Sequence, residues 1–198
     1  MFITFEGIDG AGKTTQINLL KTYLENKNKE VLSIREPGGL SFSEKIREIL
    51  LDTKTEINST TELFLFEAAR SELTDKIILP ALNENKIVIC DRFYDSTSAY
   101  QGFGRGINLD DINYLNTVAT QKLVPDLTFY LDIPISQSLN RNINKVKDRM
   151  ESNTLNFITN VKKGFDKLSE LYPDRIKRIK ADDSIDQVHQ NIIKYINV

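Results

Sequence analysis

The segment Gly7 to Thr14, GIDGAGKT, matches G-x-x-x-x-G-K-[ST] and directly follows the apolar run FITFE at residues 2–6. Chance would produce this pattern in about one chain in a hundred of this length, or fewer. The motif constrains the fold because it works only as a strand, a tight loop and a helix in succession. Backbone N–H groups of the loop must turn inward around an anion, and a Cβ on the glycines would block that approach. Gly7, Ile8, Asp9, Gly10, Ala11, Gly12, Lys13, Thr14 and Thr15 are therefore candidate phosphate-binding positions. Lys13 would reach the outer phosphates, Thr14 would offer its hydroxyl to Mg²⁺, and the helix opening at Lys13 would add the positive end of its dipole. A Gly-rich turn without ligand is the bland alternative. Kinases, GTPases and motor ATPases all use the motif, so it leaves the reaction open.

The rest of the chain follows the same strand-helix rhythm. Short β-rich runs alternate with stretches of 3.6-residue periodicity, which predicts an α/β domain: a five-stranded parallel sheet with helices on both faces. Strands are expected at 2–6, 31–34, 86–90, 127–132 and 176–180. Helices are expected at 13–27, 43–51, 61–83, 110–122, 134–144, 153–171 and 184–197. Pro37-Gly38-Gly39, Pro125 and Pro173 fall between these elements. At 198 residues, against about 150 per domain, and with no repeat, linker or composition shift, residues 1–198 read as one domain. Within it, Arg141 to Glu151 (RNINKVKDRME) carries dense charge and no clean apolar stripe, so 141–151 reads as a surface flap or lid.

Composition narrows the chemistry. Lys+Arg 26 against Asp+Glu 28 gives a net charge of -2, so no global field attracts a nucleic-acid backbone and any phosphate must be held locally. One cysteine, Cys90, excludes an internal disulfide or a multi-thiolate metal site, and one histidine, His189, removes a His-based triad. Cys90 reads as a packed strand thiol and His189 as a surface helix residue. No apolar run approaches the ~20 residues that span a bilayer, and no signal peptide is evident, so no membrane partner and a cytoplasmic location are expected.

The run after the third strand, DRFYDSTSAYQG from Asp91 to Gly102, suggests where a second substrate would sit. Asp91 ends a strand expected beside the first, where an acid can hold Mg²⁺ through water, and Arg92 can fork onto an acceptor phosphate. A strand-end salt bridge is the structural alternative. Phe93, Tyr94, Ser96, Thr97, Tyr100 and Gln101 suit a sugar and a flat base. In helix 61–83, Leu63, Phe66, Arg70, Leu73 and Ile77 form one stripe that Arg70 interrupts. A guanidinium there wants an acceptor. A base could stack on Phe66 while Arg70 bonds its carbonyl edge, or Phe66 could be core and Arg70 pair with Glu67 or Asp91. No guanine-reading NKxD motif follows a late strand, which disfavours a GTPase.

In order, FEGIDGAGKTTQ, REPGG (Arg35 to Gly39), FLFEAAR (Phe64 to Arg70), DRFYDSTSAYQG, PDLTFYLDIP (Pro125 to Pro134), DRME (Asp148 to Glu151) and IKAD resemble the bacterial thymidylate kinases from end to end. The resemblance implies a P-loop NTPase fold of the nucleoside monophosphate kinase type, usually homodimeric, making dTDP from dTMP and ATP with Mg²⁺. It implies that Asp9 contacts the sugar 3′-hydroxyl, Arg92 the dTMP phosphate, and Phe66 the thymine face. Arg70 and Thr97 would read the polar edge of the base, with Tyr100 beneath the deoxyribose and Gln101 close to the base. Glu36 and Pro37 would line the acceptor cleft, and Arg141 with the Ala181-Asp182 turn would flank adenine.

One stretch departs from the family pattern: Asn142, Asn144, Lys145 and Lys147 stand where relatives usually carry arginines, and only Arg149 matches cleanly. Transfer to an anionic phosphate needs no strong base, so cations should carry catalysis. These are Lys13 on the transferring group, Arg92 on the acceptor, Arg149 from the flap, and Mg²⁺ at Thr14 and Asp91. Another or broader pyrimidine monophosphate kinase is the nearest rival; a nucleotide-binding switch is the rival of another class.

Overall fold

A computed structural model describes residues 1–143, 148–150 and 154–197. Strands β1 (Phe2–Glu6), β2 (Val31–Arg35), β3 (Ile87–Asp91), β4 (Leu127–Asp132) and β5 (Ile176–Lys180) form one parallel sheet in the order β2-β3-β1-β4-β5. All five residues of the central β1 are buried, which is why it reads as an unbroken apolar run up to Glu6. Because the strands are parallel, their carboxyl ends share one edge. There Phe5 and Arg35 both lie in register with Asp91, bringing the residues that follow β1, β2 and β3 together.

Alternate residues of the strands feed two cores. Ile3, Phe5, Ile89, Phe129 and Leu131 pack with Ile17, Leu20 and Leu24 of α1 (Lys13–Glu25) and with Val188 and Ile192 of α9 (Ile185–Ile193). The same cluster includes Phe157, Val161 and Phe165 of α8 (Leu155–Leu171), whose Phe165 ring stacks on Tyr130 at 5.3 Å. On the other face Phe2, Val88 and Cys90 meet Leu73, Ile78, Ala81 and Phe93. Further helices include α2 (Ser41–Leu51), α6 (Leu109–Ala119) and α7 (Ile135–Arg141).

The strand expectations hold to within one residue, and most helices shorten. The helix expected over 13–27 ends at Glu25, 110–122 ends at Ala119, 134–144 ends at Arg141 and 184–197 ends at Ile193. Left-handed residues explain two of these stops: Asn28 (φ 58°) follows α1, and Gln121 and Lys122 (φ 52° and 66°) follow α6. Two helices start two residues earlier, at Ser41 and at Ser59, the latter capped by Asn58 Oδ1 on the Thr61 N–H, and α6 starts one earlier, at Leu109. Residues 144, 153 and 198, and 144–147 and 151 of the expected flap, lie outside the described residues.

Residues 61–83 are one continuous helical rod but not one α-helix. α3 (Ser59–Leu73) passes through a π-helical turn, Thr74–Ile78, into α4 (Leu79–Asn83). Pro80 has no N–H to offer the carbonyl four residues back, so the ladder must change step there. The run after β3 carries helix that the periodicity does not reveal: α5 (Tyr94–Thr97) continues as a π-helical segment, Ser98–Gly104. Its inward face is polar, with Ser96, Thr97, Ser98 and Gln101 all buried, so no apolar stripe marks it.

Candidate active site

Gly7 leaves β1 with φ 136°, and a Cβ there would lie 2.6 Å from the Leu131 carbonyl oxygen of β4, so only glycine can turn the chain at this point. Gly12, at φ 92°, has open space where its Cβ would be and opens α1. Open space at that position leaves the first N–H groups of the helix free to receive an anion. Lys13 Nζ curls back over the loop and donates to the carbonyl oxygens of Gly7 (3.1 Å) and Ile8 (3.2 Å). Thr14 Oγ1 donates to Asp91 Oδ2 at 3.2 Å, joining the loop to the end of β3. Among the described residues no group of three acidic, His or Cys side chains could cage a metal. The Thr14-Asp91 pair instead fits a Mg²⁺ that takes its other ligands from phosphate and water, as that ion ordinarily does.

A cavity of about 690 Å³ opens in front of this loop, lined by Asp9, Gly10, Ala11, Gly12, Lys13, Thr14 and Thr15 together with Asp91, Arg92, Arg141 and Ala181. Arg141 Nη1 donates to the Gly10 carbonyl oxygen at 2.8 Å, and Ser138 Oγ to that of Asp9 at 2.6 Å, so α7 clamps the loop from outside. Gly7 and Ile8 shape the loop without facing the cavity. Asp182 is turned away and pairs with Lys180 (3.7 Å), whereas Asp183 and Ile185 take the lining position expected of it.

A second, smaller cavity of about 160 Å³ adjoins the first. It is lined by all ten residues expected to hold the acceptor: Asp9, Glu36, Pro37, Phe66, Arg70, Arg92, Ser96, Thr97, Tyr100 and Gln101. Arg92 sits at the junction, in a left-handed backbone conformation (φ 69°) that few non-glycine residues adopt. It donates to the Gly7 carbonyl oxygen (2.9 Å), Ser96 Oγ (3.1 Å) and Asp9 Oδ1 (2.6 Å), and its guanidinium lies 5.2 Å over the Tyr100 ring. Behind it Glu6, wholly buried, accepts from the Phe93 N–H and Ser96 Oγ. Burial, with Asp95 nearby, pushes the Glu6 carboxyl up to about 8.

Arg70 settles the choice left open by its place in the apolar stripe: it pairs with Glu67 and with Glu36, not with Asp91. Nε donates to Glu36 Oε2 (2.8 Å), Nη1 to Glu67 Oε1 (2.8 Å) and Asn116 Oδ1 (3.1 Å), and Nη2 to Thr97 Oγ1 (2.8 Å). These bonds use four of its five N–H donors, leaving one on Nη2. Two carboxylates share this one cation, and burial pushes Glu36 up to about 7 despite Arg70 beside it.

Arg149, expected over the transferring phosphate, is bonded to α3 and α2 in this structure. Its Nη1 donates to Glu62 Oε2 (2.7 Å), its Nε to the Leu50 carbonyl oxygen (2.8 Å), and it does not line the larger cavity. A buried carboxylate on α3 and a helix-end carbonyl on α2 capture the guanidinium first. Conversely, Arg47 of α2 lines both cavities and donates from Nη1 to the Pro37 carbonyl oxygen (3.0 Å). In the sequence it reads as one more charge on an amphipathic helix, with no motif to mark it.

A family model described as Thymidylate kinase matches residues 5–192. The chain is 46% identical over 207 residues to the thymidylate kinase of Chlorobium luteolum, spanning 100% of this chain and 97% of that protein. It is 41% identical to that of Kosmotoga olearia, spanning 98% and 94%. The crystal structure of thymidylate kinase from Ehrlichia chaffeensis superimposes with a TM-score of 0.82 at 38% identity, covering 100% of this chain and 98% of that one. The sheet and loop are thus those of a P-loop NTPase. With matches that run the length of the chain and a fold shared with a solved relative, the protein belongs to the thymidylate kinase family.

Proposed function

We propose that this enzyme transfers the γ-phosphoryl group of ATP to dTMP, giving dTDP and ADP, with Mg²⁺ at Thr14 and Asp91. The observation that carries the reading is the junction of the two cavities: Asp9, Glu36, Arg47 and Arg92 line both. A donor phosphate in one and an acceptor phosphate in the other would meet at the two guanidiniums. An oxygen of the dTMP phosphate attacks the γ-phosphorus as its bond to the ADP oxygen breaks, and the electron pair leaves on ADP. Lys13 exchanges its two carbonyl partners for phosphate oxygens, Arg92 and Arg47 hold the acceptor, and Arg141 flanks the nucleotide from α7. Mg²⁺ would draw charge off the β- and γ-oxygens.

Base choice follows from donor and acceptor bookkeeping. Gln101 Nε2 donates to Glu62 Oε1 at 2.8 Å, which fixes the orientation of the amide and leaves its carbonyl oxygen able to accept a ring N–H. The remaining Nη2 hydrogen of Arg70 needs a carbonyl. Thymine offers both, whereas cytosine sets an amino group against Arg70. A coupled ADP-release assay over the nucleoside monophosphates tests the reading. dTMP should be strongly preferred and ATP turnover should depend on it; ATP hydrolysis without acceptor, or equal use of dCMP, would overturn it.

The same reading makes the enzyme a homodimer. Phe42 and Ile49 on α2, Phe64 on α3, and Tyr114 and Val118 on α6 are large apolar side chains, all exposed. Sedimentation of wild type against Phe64→Glu checks this: the dimer should dissociate in the variant. No helix among the described residues is long and apolar enough to cross a membrane. The proposed setting is the cytoplasm, where ATP is at hand and the buried Cys90 thiol stays reduced.

A further inference from the structure

Glu62 is one of the most buried charged side chains, 1% exposed, yet the phosphoryl-transfer scheme gives it no task. Three residues from two distant parts of the chain converge on it. Oε1 accepts from Gln101 Nε2 (2.8 Å) and Arg105 Nε (3.1 Å), and Oε2 from Arg105 Nη2 (3.1 Å) and Arg149 Nη1 (2.7 Å). Burial alone would raise its pKa; the bonds from Arg105, Gln101 and Arg149 outweigh this and hold it below the ordinary carboxylate range. Arg149 is further fixed by Nε on the Leu50 carbonyl oxygen and by its own N–H on that of Leu51 (3.1 Å). Its two neighbours, Asp148 and Met150, line the acceptor cavity, as does Gln101.

We propose that Glu62 is a positioning residue for the acceptor: one carboxylate orients the Gln101 amide toward the base and, through Arg149, pins Asp148 and Met150 as the wall of the same cavity. The inference rests on the cavity being the dTMP site. Its physical basis is that Arg105 and Arg149 are two like charges held on one anion. Without that anion they repel, and Gln101 loses the partner that decides which end of its amide faces the ligand. Arg149 then belongs to acceptor binding, not to the charge on the transferring phosphoryl group.

Glu62→Gln and Arg149→Met separate the alternatives. Each should raise the dTMP KM about tenfold, equivalent to about 1.4 kcal/mol. The ATP KM and the kcat at saturating dTMP should stay within about threefold of wild type. Arg149→Lys, which keeps the charge but not the two-point geometry, should fall between. The double variant should be little worse than either single one, because both remove the same contact. Calorimetric titration of dTMP without ATP should show the same weakening independently of turnover. If Glu62→Gln does not fold, Arg149→Met alone decides, since its side chain is partly solvent-facing. An unchanged dTMP affinity in Arg149→Met would overturn the proposal, as would a kcat lowered by orders of magnitude at unchanged KM. Wild type that neither binds nor phosphorylates dTMP would instead overturn the functional reading beneath it.

Discussion

Replacing Arg70 by Met keeps the unbranched apolar stem of the side chain and removes the guanidinium that lies between Glu36 and Glu67. Both carboxylates and the guanidinium are nearly inaccessible, with the side chain of Arg70 2% exposed and that of Glu36 4%. Removing one partner of a buried pair costs about 3–5 kcal/mol because the other charge is left without compensation. That would be a large part of the roughly 5–15 kcal/mol that holds an ordinary domain folded. The loss should depend on pH. Glu36 sits at about 7 in the folded protein even with Arg70 present. Its ionisation therefore opposes folding from the ordinary carboxylate range up to about pH 7. Without Arg70 that window extends further upward, and each additional pH unit costs about 1.4 kcal/mol. The difference between variant and wild type should be about 4 kcal/mol at pH 8 and about 1.4 kcal/mol smaller at pH 5.5, since Glu36 stays protonated in both folded proteins up to about pH 7 and only the unit above it separates them; urea unfolding measures this. The same variant should lose its preference for dTMP over dCMP while its affinity for ATP is retained. A difference below about 1 kcal/mol at pH 8, or one identical at the two pH values, would refute the argument that Arg70 neutralises buried acid.

Asp91→Asn and Thr14→Ala should each lower kcat/KM by about a hundredfold or more and raise the Mg²⁺ concentration needed for half activity; unchanged Mg²⁺ dependence would remove the pair from the metal site. Tyr100→Ala should narrow the discrimination against the ribose analogue of dTMP, because the ring beneath Arg92 lines the proposed acceptor cavity and would fill the space a 2′-hydroxyl needs; the ratio of kcat/KM values reads this. Glu6 binds its proton more tightly folded than unfolded, with a pKa of about 8, so wild-type stability should fall as pH rises from the ordinary carboxylate range toward 8. Glu6→Gln should flatten that slope in thermal melts taken across the interval.

Local signals fixed much of this protein before any tertiary contact is considered. Residues 7–15 declare themselves because glycines, a lysine and a threonine must sit at set spacings for a loop to wrap an anion, and that geometry is decided within a dozen residues. Strands β1, β4 and β5 are legible to the residue because short β-rich apolar runs bounded by turn residues are local as well. The helix from Tyr94 to Gly104 is not, since its inner face is polar and its fit to the core comes from Glu6, Glu62 and Arg70, which lie far away in the chain.

The same distinction governs the site. Periodicity singles out Arg70, and the family resemblance Arg149, as charges with a purpose, but a guanidinium takes whichever carboxylate the fold delivers. Arg70 finds Glu36 across 34 residues, and Arg149 finds Glu62 across 87. Arg47 has no motif of its own and becomes part of the junction only because α2 returns beneath Pro37. Chain-local sterics and periodicity determine where strands, loops and the phosphate cradle lie. The pairing of buried charges depends on distances of a few ångströms between segments remote in sequence, and only the packed sheet and its helices set those distances.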